Sequence, residues 1–502
     1  MKRELLISRE GPETRVALLE DGRLAELRIE YYGDRSLVGN IYKGRVENVL
    51  PGMQAAFVDI GLERNGFLEI GKLASSFHDP SSPGSRDTGP VSRLLRAGQE
   101  ILVQVTRDAT GVKGPRLSQT LGLAGRYLVY LPLGRGVHVS RRLGPAERER
   151  LRELCQGLAL QKGGLIVRTA AQGADGDTLS RDLEFLLKVW GQVESRAADA
   201  SAPTLVYAEA DLAIRAVRDL PTSEPVTVLV DDPGLFRRLQ SYLGAVIPDI
   251  GQGLRMWEGP PGLFAAFRVE SALRQALLRR VDLPSGGYIV IDHTEALTVV
   301  DVNTGSYVGH KTLQQTTLKT NLEACREVAR QLRLRDIGGI VVVDFIDLHL
   351  PEDREAVLRA LREELGRDSS KAYVIGVSPL GLVEITRENT SREVRESVTV
   401  SCSRCRGSGR VLSLRTAVIA VKTRIRNLAL TAAVGENGLD GPRDHGRSSS
   451  FLCVQIHPRV AAVLAGEPAW FEELKTLTGC MVLVEEADSD VDLDHVWVAG
   501  CG

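Results

Sequence analysis

Two aspartates in this 502-residue chain each close a run of apolar residues. Asp301 ends the run LTVVD and Asp344 ends the run IVVVD. Asn303 stands two residues beyond Asp301, and strand alternation puts its amide on the same face as that carboxylate. Carboxylate and amide oxygens are hard ligands that suit Mg²⁺ or Mn²⁺ better than zinc. With Asp347 close by, these residues predict a divalent metal site; the alternative is that each aspartate caps the turn after its strand.

A divalent ion held by few protein ligands favours phosphoryl chemistry. Such an ion polarises a phosphoryl oxygen and lowers the pKa of a water that attacks in line. The sequence has no GxxxxGK[ST] loop and no GxGxxG after a strand, so a nucleotide fuel is not indicated. These residues favour metal-dependent hydrolysis of a phosphodiester.

Strands and a helix have to bring the two aspartates together. Tyr288–Asp292 and Ala296–Val302 are typical of a hairpin, and a helix is expected over roughly 312–334. Ile340–Phe345 follows as a buried strand. A strand–helix–strand connection makes the second and third strands parallel neighbours. Ligands gather at the carboxyl ends of such strands, where the aspartates stand.

The first third of the chain predicts short strands. Residues 1–35 contain three of them, and period-two patterning from Leu37 to about Ile70 resumes at Gln99–Thr106. Five strands of this kind suit a small OB-type barrel. The Ser/Pro/Gly-rich segment 75–93 is predicted to be a mobile loop. Residues 205–280 have a mixed α/β pattern that ends in a predicted helix at Leu263–Arg280.

Two phenylalanines on adjacent strands of the expected barrel indicate what it binds. Phe57 and Phe67 interleave with basic residues, a pattern typical of a stacking platform for single-stranded nucleic acid. The basic residues are Lys43, Arg45, Arg64 and Lys113. The alternative is that both rings belong to the core of the barrel.

Of the seven cysteines, only Cys402 and Cys405 have the spacing of metal ligands. Tetrahedral structural zinc needs four ligands, and the chain has no second CxxC and no HxxxH. Either two chains each donate half a site, or the pair is inert or redox-active. The Gly-rich residues 406–409 favour a metal knuckle.

Composition and charge narrow the class of protein. The hydrophobic and charged fractions, 43% and 25%, are those of an ordinary globular chain of about three to five domains. No apolar run approaches the ~18 residues of a membrane span, and no signal peptide is evident, so a cytoplasmic protein with reduced cysteines is expected. A net charge of −2 excludes a uniformly basic coat. Residues 113–152 nevertheless carry nine Lys/Arg and two acids, which is typical either of a locally basic face that steers a polyanion or of an ordinary solvated face.

Five strings of the sequence resemble the catalytic part of the ribonuclease E/G family, and the match extends over essentially all 502 residues. The chain is more similar to the short, ribonuclease G-like form, since it has no long Arg- and Pro-rich tail of the kind that recruits partner enzymes. The strings are GNIYKGRVENVLPGMQAAFVDIGLERNGFL (39–68), LIVRTA (165–170), LPSGGYIVIDHTEALTVVDVNTG (283–305), LKTNLEACREVARQLRLRDIGGIVVVDFIDL (318–348) and CSRCRGSG (402–409).

The resemblance implies an α/β multidomain fold in which an S1 barrel is inserted into an RNase H-like domain. The implied domains are an RNase H-like domain (1–35 and 211–280), an S1 RNA-binding domain (36–120), a 5′-sensor region (121–210), a DNase I-like catalytic α/β region (281–400), a zinc link (401–412) and a small C-terminal α/β domain (413–502).

Residue by residue, the resemblance also implies a catalytic site and a 5′ pocket. Asp301 and Asp344 match the carboxylates that bind catalytic Mg²⁺, and Asn303 matches the catalytic amide beside them. Arg168 and Thr169 match the pocket that grips a 5′-monophosphate, a role for which an arginine beside a hydroxyl is chemically suited.

Two further sets of residues match functional positions of the family. Phe57, Phe67 and Lys113 match RNA-contact positions on the S1 surface. Cys402 and Cys405 match the cysteines that share a structural Zn²⁺ between chains. The family usually has proline after the first cysteine, and Ser403 in this position loosens the turn without removing a ligand.

The function implied by the resemblance is a Mg²⁺-dependent, single-strand-specific endoribonuclease in rRNA and tRNA processing and mRNA decay. A 5′-monophosphate would stimulate it, and a metal-activated water would leave 5′-phosphate and 3′-hydroxyl ends. Expected partners are single-stranded RNA and further copies of the chain, as a homodimer or dimer of dimers through shared zinc, with no integral membrane segment.

Two alternatives remain: a non-catalytic S1-type RNA-binding protein, and a DNA nuclease or general phosphodiesterase. Asp301, Asn303 and Asp344 together favour an enzyme, because a protein that only binds RNA would not need this set.

Overall fold

The computed structural model describes residues 2–33, 35–69, 95–109, 113–158, 160, 162–220, 226–246, 251–305, 313–388, 393–405, 407–435 and 451–499. The predicted loop 75–93 lies outside these residues. The chain divides into two compact units, Met1–Val398 and Thr399–Gly502. Within the described ranges, no helix is long and apolar enough to cross a membrane.

The described helices alternate with the strands along most of the chain. They are α1 (Pro145–Gln156), α2 (Gly176–Asp199), α3 (Leu212–Arg218), α4 (Pro233–Val246), α5 (Leu263–Ala266), α6 (Val269–Ala276), α7 (Leu313–Leu334), α8 (Pro351–Leu365), α9 (Val394–Val398), α10 (Leu414–Gly435), α11 (Pro458–Ala465) and α12 (Pro468–Thr478).

The described strands form five sheets. They are β1 (Arg3–Glu10), β2 (Glu13–Glu20), β3 (Arg23–Tyr31), β4 (Ile41–Leu50), β5 (Ala55–Asp59), β6 (Gly66–Glu69), β7 (Glu100–Arg107), β8 (Arg116–Ser118), β9 (Leu123–Ala124), β10 (Leu128–Leu131), β11 (Gly136–Val139), β12 (Gly164–Val167), β13 (Thr204–Tyr207), β14 (Val226–Val230), β15 (Leu254–Met256), β16 (Arg280–Asp282), β17 (Tyr288–His293), β18 (Leu297–Asn303), β19 (Gly339–Asp344), β20 (Ala372–Val377), β21 (Val383–Arg387), β22 (Phe451–Ile456), β23 (Met481–Glu486) and β24 (Val496–Ala499).

Three sheets of the first unit are built from the first 256 residues of the chain. The three predicted N-terminal strands are present as β1–β3, in a sheet of order β15-β14-β1-β2-β3. Strands β4, β5, β6, β8 and β7 close into a barrel through an additional β4–β7 pairing, and β13 joins at β4. This confirms the predicted five-stranded barrel. The third sheet, β11-β12-β10-β9, shares a core with α1 and α2.

A six-stranded sheet, β16-β17-β18-β19-β21-β20, carries the two aspartates of interest. The predicted hairpin is present as the antiparallel pair β17–β18, and β18 pairs with β19 in parallel, as expected. Residues of α7 and α8 share one apolar core with the inner face of the sheet. Along β18, Thr298, Val300 and Val302 are buried, whereas Asp301 on the outer face is exposed. The pairing therefore fixes which side chains face outward.

The helix predicted at Leu263–Arg280 is wrong as a single element. It is broken into α5 and α6 at Arg268, whose φ of 54° is in the left-handed region and cannot continue a right-handed helix. The second piece ends at Ala276, and Arg280 begins β16 instead. The apolar periodicity of the sequence continues through this break and therefore does not indicate it.

The second unit is small and has its own core. Its sheet has the order β23-β22-β24, with β23 parallel and β24 antiparallel to β22. Val454 and Ile456 of β22 pack with Val421 and Ile425 of α10, all of them buried. The C-terminal α/β segment expected from the sequence is therefore present.

Candidate active site and nucleic-acid interface

Asp301 and Asp344 lie side by side on neighbouring strands. Their Cα atoms are partners in the parallel β18–β19 ladder, and they form the last pair of that ladder. Strands in a sheet are about 4.8 Å apart, and partners in register project to the same face. Both side chains are exposed on the open face of the sheet. The sequence-predicted carboxylates are thus brought together.

Asn303 fixes the orientation of one carboxylate of this pair. Its Nδ2 donates a hydrogen bond of 2.9 Å to Oδ2 of Asp301. The two residues are on the same face of β18, as alternation predicts. Asp347 lies beyond the end of β19, in the segment before α8, and is exposed. The strand ladder therefore positions Asp301, Asn303 and Asp344 but not Asp347.

The chemistry of this donor set fits magnesium. In the described ranges, no three His, Cys, Asp or Glu side chains cluster closely enough to form a protein-only metal cage. Mg²⁺ does not need such a cage, because it keeps several waters and uses one or two carboxylates together with substrate phosphates. Two exposed carboxylates and a neighbouring amide are therefore suited to Mg²⁺ and not to a closed structural zinc site.

Arg168 and Thr169 lie at the end of β12, in the sheet supported by α1 and α2. The guanidinium of Arg168 donates to the carbonyl of Gly125 at 2.7 Å and to the carboxylate of Asp219 at 2.7 Å. The hydroxyl of Thr169 is 3.0 Å from that of Ser140. Strand β12 ends at Val167, and a 3-10 turn begins at Thr169.

Asp219 keeps its negative charge beside Arg168. Burial alone would raise its pKa, but attraction to Arg218 and Arg168 outweighs burial and lowers the pKa to about 2. A guanidinium has five N–H donors, and these two contacts leave others for a further anion. The ion pair between Arg168 and Asp219 fixes the orientation of the Arg168 guanidinium.

The turn that holds Arg168 is itself fixed by a buried carboxylate that the sequence did not reveal. Asp182 of α2 accepts hydrogen bonds from the backbone amides of Arg126, Tyr127 and Leu128, at 2.8–3.1 Å. Burial raises the pKa of Asp182 despite these three donors. In α2, Asp182 occupies an inward position among leucines, and a lone acid in a helix gives no sequence signal of such a role.

A basic cleft of about 3510 Å³ in the first unit extends from Arg168 to the edge of the aspartate-bearing sheet. Its wall includes Lys371 and Tyr373, at β20, while Asp301 and Asp344 lie outside it. Arg142 joins the two sides, donating to the carbonyls of residues 368, 369 and 370. Among its described lining residues, fourteen Lys/Arg outnumber ten Asp/Glu, and the arginines include Arg135, Arg141, Arg148, Arg152, Arg362 and Arg367. The basic stretch predicted at 113–152 contributes to this wall.

The two phenylalanines of the barrel are in contact on its surface. Phe57 and Phe67 are cross-strand partners on β5 and β6, with ring centroids 5.7 Å apart in an edge-to-face arrangement. Phe57 is 36% exposed and Phe67 is half-buried. An exposed aromatic pair of this kind can stack bases.

Lys113 is exposed and lies close to the start of β6. A Cβ on the adjacent Gly114 would meet the carbonyl oxygen of Asn65 at 2.1 Å, so only glycine allows this approach of the two segments. Asn65 immediately precedes β6 along the chain, so Lys113 lies close to the strand that carries Phe67.

Two basic residues that the sequence grouped with the phenylalanines have other partners. Lys43 donates to the carbonyl of Ala200 at 2.8 Å, and Arg45 to that of Ala202 at 2.9 Å. Both also pair with Glu100. These contacts tie β4 of the barrel to the segment between α2 and β13.

Cys402 and Cys405 form a tight turn at the start of the second unit. Cys402 is exposed and Cys405 is half-buried, and neither is in a disulfide. Hydrogen bonds from the backbone amides of Cys405 and Arg404 lower the pKa of Cys402, which favours the thiolate that binds metal.

Arg404, between the two cysteines, holds their turn against the rest of the second unit. Its guanidinium is 3.1 Å from Nε2 of His457 and donates to the carbonyl of Ser489 at 3.1 Å. Nδ1 of His457 accepts from the amide of Arg459, so both ring nitrogens are engaged within this unit. The two thiols are suited to zinc, which takes thiolate ligands, and they supply half of its tetrahedron.

Comparison with known proteins gives one consistent family. The sequence model of the Ribonuclease E/G family matches residues 122–390. Ribonuclease G of Salmonella typhimurium (strain SL1344) is 38% identical over 491 residues, which is 97% of each chain. Ribonuclease G of Haemophilus influenzae is 39% identical over 84% of this chain and 87% of its own. Ribonuclease E of Escherichia coli (strain K12) is 37% identical over 86% of this chain but 41% of its own length.

The packing of Gly125 against Asp182 generates a stability prediction. A Cβ at Gly125 would lie 2.6 Å from both carboxylate oxygens of Asp182, which three amides hold in place. We expect Gly125→Ala to lower the free energy of unfolding of the first unit by about 1–3 kcal/mol, measured by urea denaturation. Gly191→Ala in α2 is the control, since a Cβ there meets nothing within 4 Å. Equal midpoints for wild type and Gly125→Ala would contradict this account of the turn.

Proposed function

The chain belongs to the ribonuclease E/G family, and from that premise we propose that it is a Mg²⁺-dependent, single-strand-specific endoribonuclease acting in rRNA and tRNA processing and mRNA decay. Endoribonuclease activity follows from the family. The proposed Mg²⁺ dependence is supported above all by one observation. Asp301 pairs in register with Asp344 on an open face of the sheet, beside Asn303.

In the proposed reaction, these three residues organise a phosphodiester for attack by water. Mg²⁺, when bound by Asp301 and Asp344, supplies a Lewis acid for the phosphoryl oxygen and lowers the pKa of the attacking water. Asn303 holds the carboxylate of Asp301 in its orientation through the 2.9 Å hydrogen bond. Water adds to phosphorus and the 3′-oxygen of the upstream ribose leaves, so the products carry 5′-phosphate and 3′-hydroxyl ends.

We further propose that Arg168 and Thr169 bind a 5′-monophosphate. Supporting this are their position on the wall of the basic cleft and the fixed orientation of Arg168 between Gly125 and Asp219. A guanidinium beside a hydroxyl suits a terminal phosphate, which accepts several charge-assisted hydrogen bonds. Engagement of the 5′ end would stimulate cleavage elsewhere on the same RNA by holding the strand.

The barrel fits the role of an S1 domain that binds single-stranded RNA. Phe57 and Phe67 would stack bases, and Lys113 would contact the backbone. The other regions implied by the family, an RNase H-like domain, a 5′-sensor region, a DNase I-like region, a zinc link and a small C-terminal domain, are part of the same proposal. A cytoplasmic location likewise stays a prediction from the sequence.

For assembly, we propose that Cys402 and Cys405 of two chains share one structural Zn²⁺. Two thiolates from each chain complete a tetrahedron, and sharing an ion across a two-fold axis uses identical halves. Arg404 supports the site by holding the turn that bears both cysteines. The resulting homodimer, or a dimer of dimers, is the proposed form of the enzyme.

The first prediction from the proposed function concerns catalysis. Asp301→Asn or Asp344→Asn keeps side-chain size and removes one negative charge from the metal ligands. We expect cleavage of a fluorescent single-stranded RNA to fall by orders of magnitude while its binding persists, because binding rests on the barrel.

Glu295→Gln is the matched control for this prediction. It removes the same charge from the hairpin turn at the other end of β18, where the side chain is exposed. Near-wild-type turnover by Asp301→Asn at saturating Mg²⁺ would show that catalysis depends on another site.

The second prediction concerns the 5′ end. The wild type should cleave 5′-monophosphorylated RNA faster than the matched 5′-hydroxyl RNA. Arg168→Gln should reduce that preference by about tenfold or more, since a hydrogen bond to a charged group contributes roughly 1.5–3 kcal/mol. Arg181→Gln, an exposed arginine of α2, should leave the ratio of rates unchanged. An unaltered ratio in Arg168→Gln would rule out this pocket.

The third prediction concerns zinc. Metal analysis combined with light scattering should give one zinc for every two chains, and a Cys402→Ser/Cys405→Ser variant should lose both the zinc and half its mass. Cys453→Ser removes a half-buried thiol of β22 and should change neither. A zinc-free wild type, or an unchanged mass in the double variant, would refute the shared site.

A further inference from the structure

We propose that Arg280 and Tyr288 form a stacking subsite for the base of a nucleotide next to the scissile phosphodiester. This proposal rests on the proposed endoribonuclease function and adds to it a determinant of cleavage-site preference. Neither residue belongs to the metal-binding pair, the 5′ pocket or the barrel surface.

Strand register puts this pair beside the metal-binding residues. Arg280 pairs with Val290, Val290 with Asp301, and Asp301 with Asp344, so these four form one row across four strands. Residues in such a row project to one face of the sheet. At about 4.8 Å per strand, Arg280 is about 10 Å from Asp301.

A second row, two residues along the strands, projects to the same face. It contains Asp282, Tyr288 and Asn303, which are successive cross-strand partners. Tyr288 is therefore the direct neighbour of Asn303, which holds the carboxylate of Asp301. The side chains of this row and the first make a continuous surface on which a strand of RNA reaching the carboxylates would lie.

Arg280 is held in a conformation that exposes a planar group. Its Cζ is 3.9 Å from the centroid of the Tyr288 ring, and its Nε donates to Asp282 at 2.8 Å. The Arg280 side chain nevertheless stays 60% exposed. A guanidinium fixed on an aromatic ring and still open to solvent has its other face free for a flat ligand.

A base suits this surface better than a phosphate does. Asp282 offsets the charge of Arg280, which weakens its attraction for an additional anion. The guanidinium plane remains, and unpaired bases stack on arginine planes and on aromatic rings. Stacking on this pair would hold one nucleotide while the adjacent phosphodiester lies over Asp301 and Asp344.

The test combines protein variants with abasic substitution in the RNA. A short 5′-monophosphorylated single-stranded RNA with one cleavage site is prepared with single abasic nucleotides at each position around that site. We expect one position next to the scissile bond to cost the wild type about 5-fold to 100-fold in kcat/KM, the range that stacking of one base supports.

The variants then assign that loss to the pair. Arg280→Ala and Tyr288→Ser should lose a similar factor on the intact RNA and show no further loss at that abasic position. Arg280→Lys, which keeps charge but not the plane, should behave like Arg280→Ala, and Tyr288→Phe should behave like wild type. Arg279→Ala is the control, because Arg279 pairs with Asp292 and contacts no ring in the described structure.

The outcomes separate the subsite from the function on which it rests. Failure of the wild type to cleave the intact RNA would overturn both. Normal cleavage with the full abasic loss retained in Arg280→Ala and Tyr288→Ser would overturn the subsite alone. Rescue by Arg280→Lys, together with a changed salt dependence, would show a phosphate contact and would also overturn base stacking.

Discussion

The parallel pairing of β18 with β19 is the constraint on which the candidate active site depends. Its register runs from Leu297 opposite Ile340 to Asp301 opposite Asp344. Because side chains alternate along a strand, a slip of one residue would bury Asp344 and expose Val343. Val343 is fully buried in the core that α7 and α8 form beneath the sheet. Burial of apolar side chains on the inner face therefore determines that two carboxylates meet on the outer face.

The same sheet separates structural from chemical roles by face. Its inner face is apolar, whereas the outer rows carry carboxylates, an amide and the Arg280–Tyr288 pair. The pocket around Arg168 belongs to a different sheet, and the basic cleft connects it to the edge strand β20. In the proposed function, one set of elements holds the RNA end and another positions the phosphodiester. Such a division suits the proposed endonuclease, whose cleavage site would lie away from the RNA end held at Arg168.

The sequence predicted the elements whose signals are local. Local patterns predict that the two aspartates lie side by side on parallel strands. These patterns are the alternation along β18, the apolar run of β19 and the helix between the two strands. The break at Arg268 was missed, because apolar periodicity continues across a left-handed residue. Asp182 was also missed, since its role depends on backbone amides 54–56 residues away. Arg387, which bonds Asp336 and Asp368 in the core, is likewise defined only by tertiary contacts.

In the proposed catalytic site, Asp301 and Asp344 hold one divalent ion between them. The most direct test of this shared site replaces Mg²⁺ with Fe²⁺ and uses ascorbate and peroxide to cleave the polypeptide next to the bound iron. We expect two cuts, one near residue 301 and one near residue 344, that appear together and are suppressed by excess Mg²⁺. In Asp301→Asn, both cuts should weaken together. Cuts at only one of the two strands, or at positions outside both, would contradict a shared site.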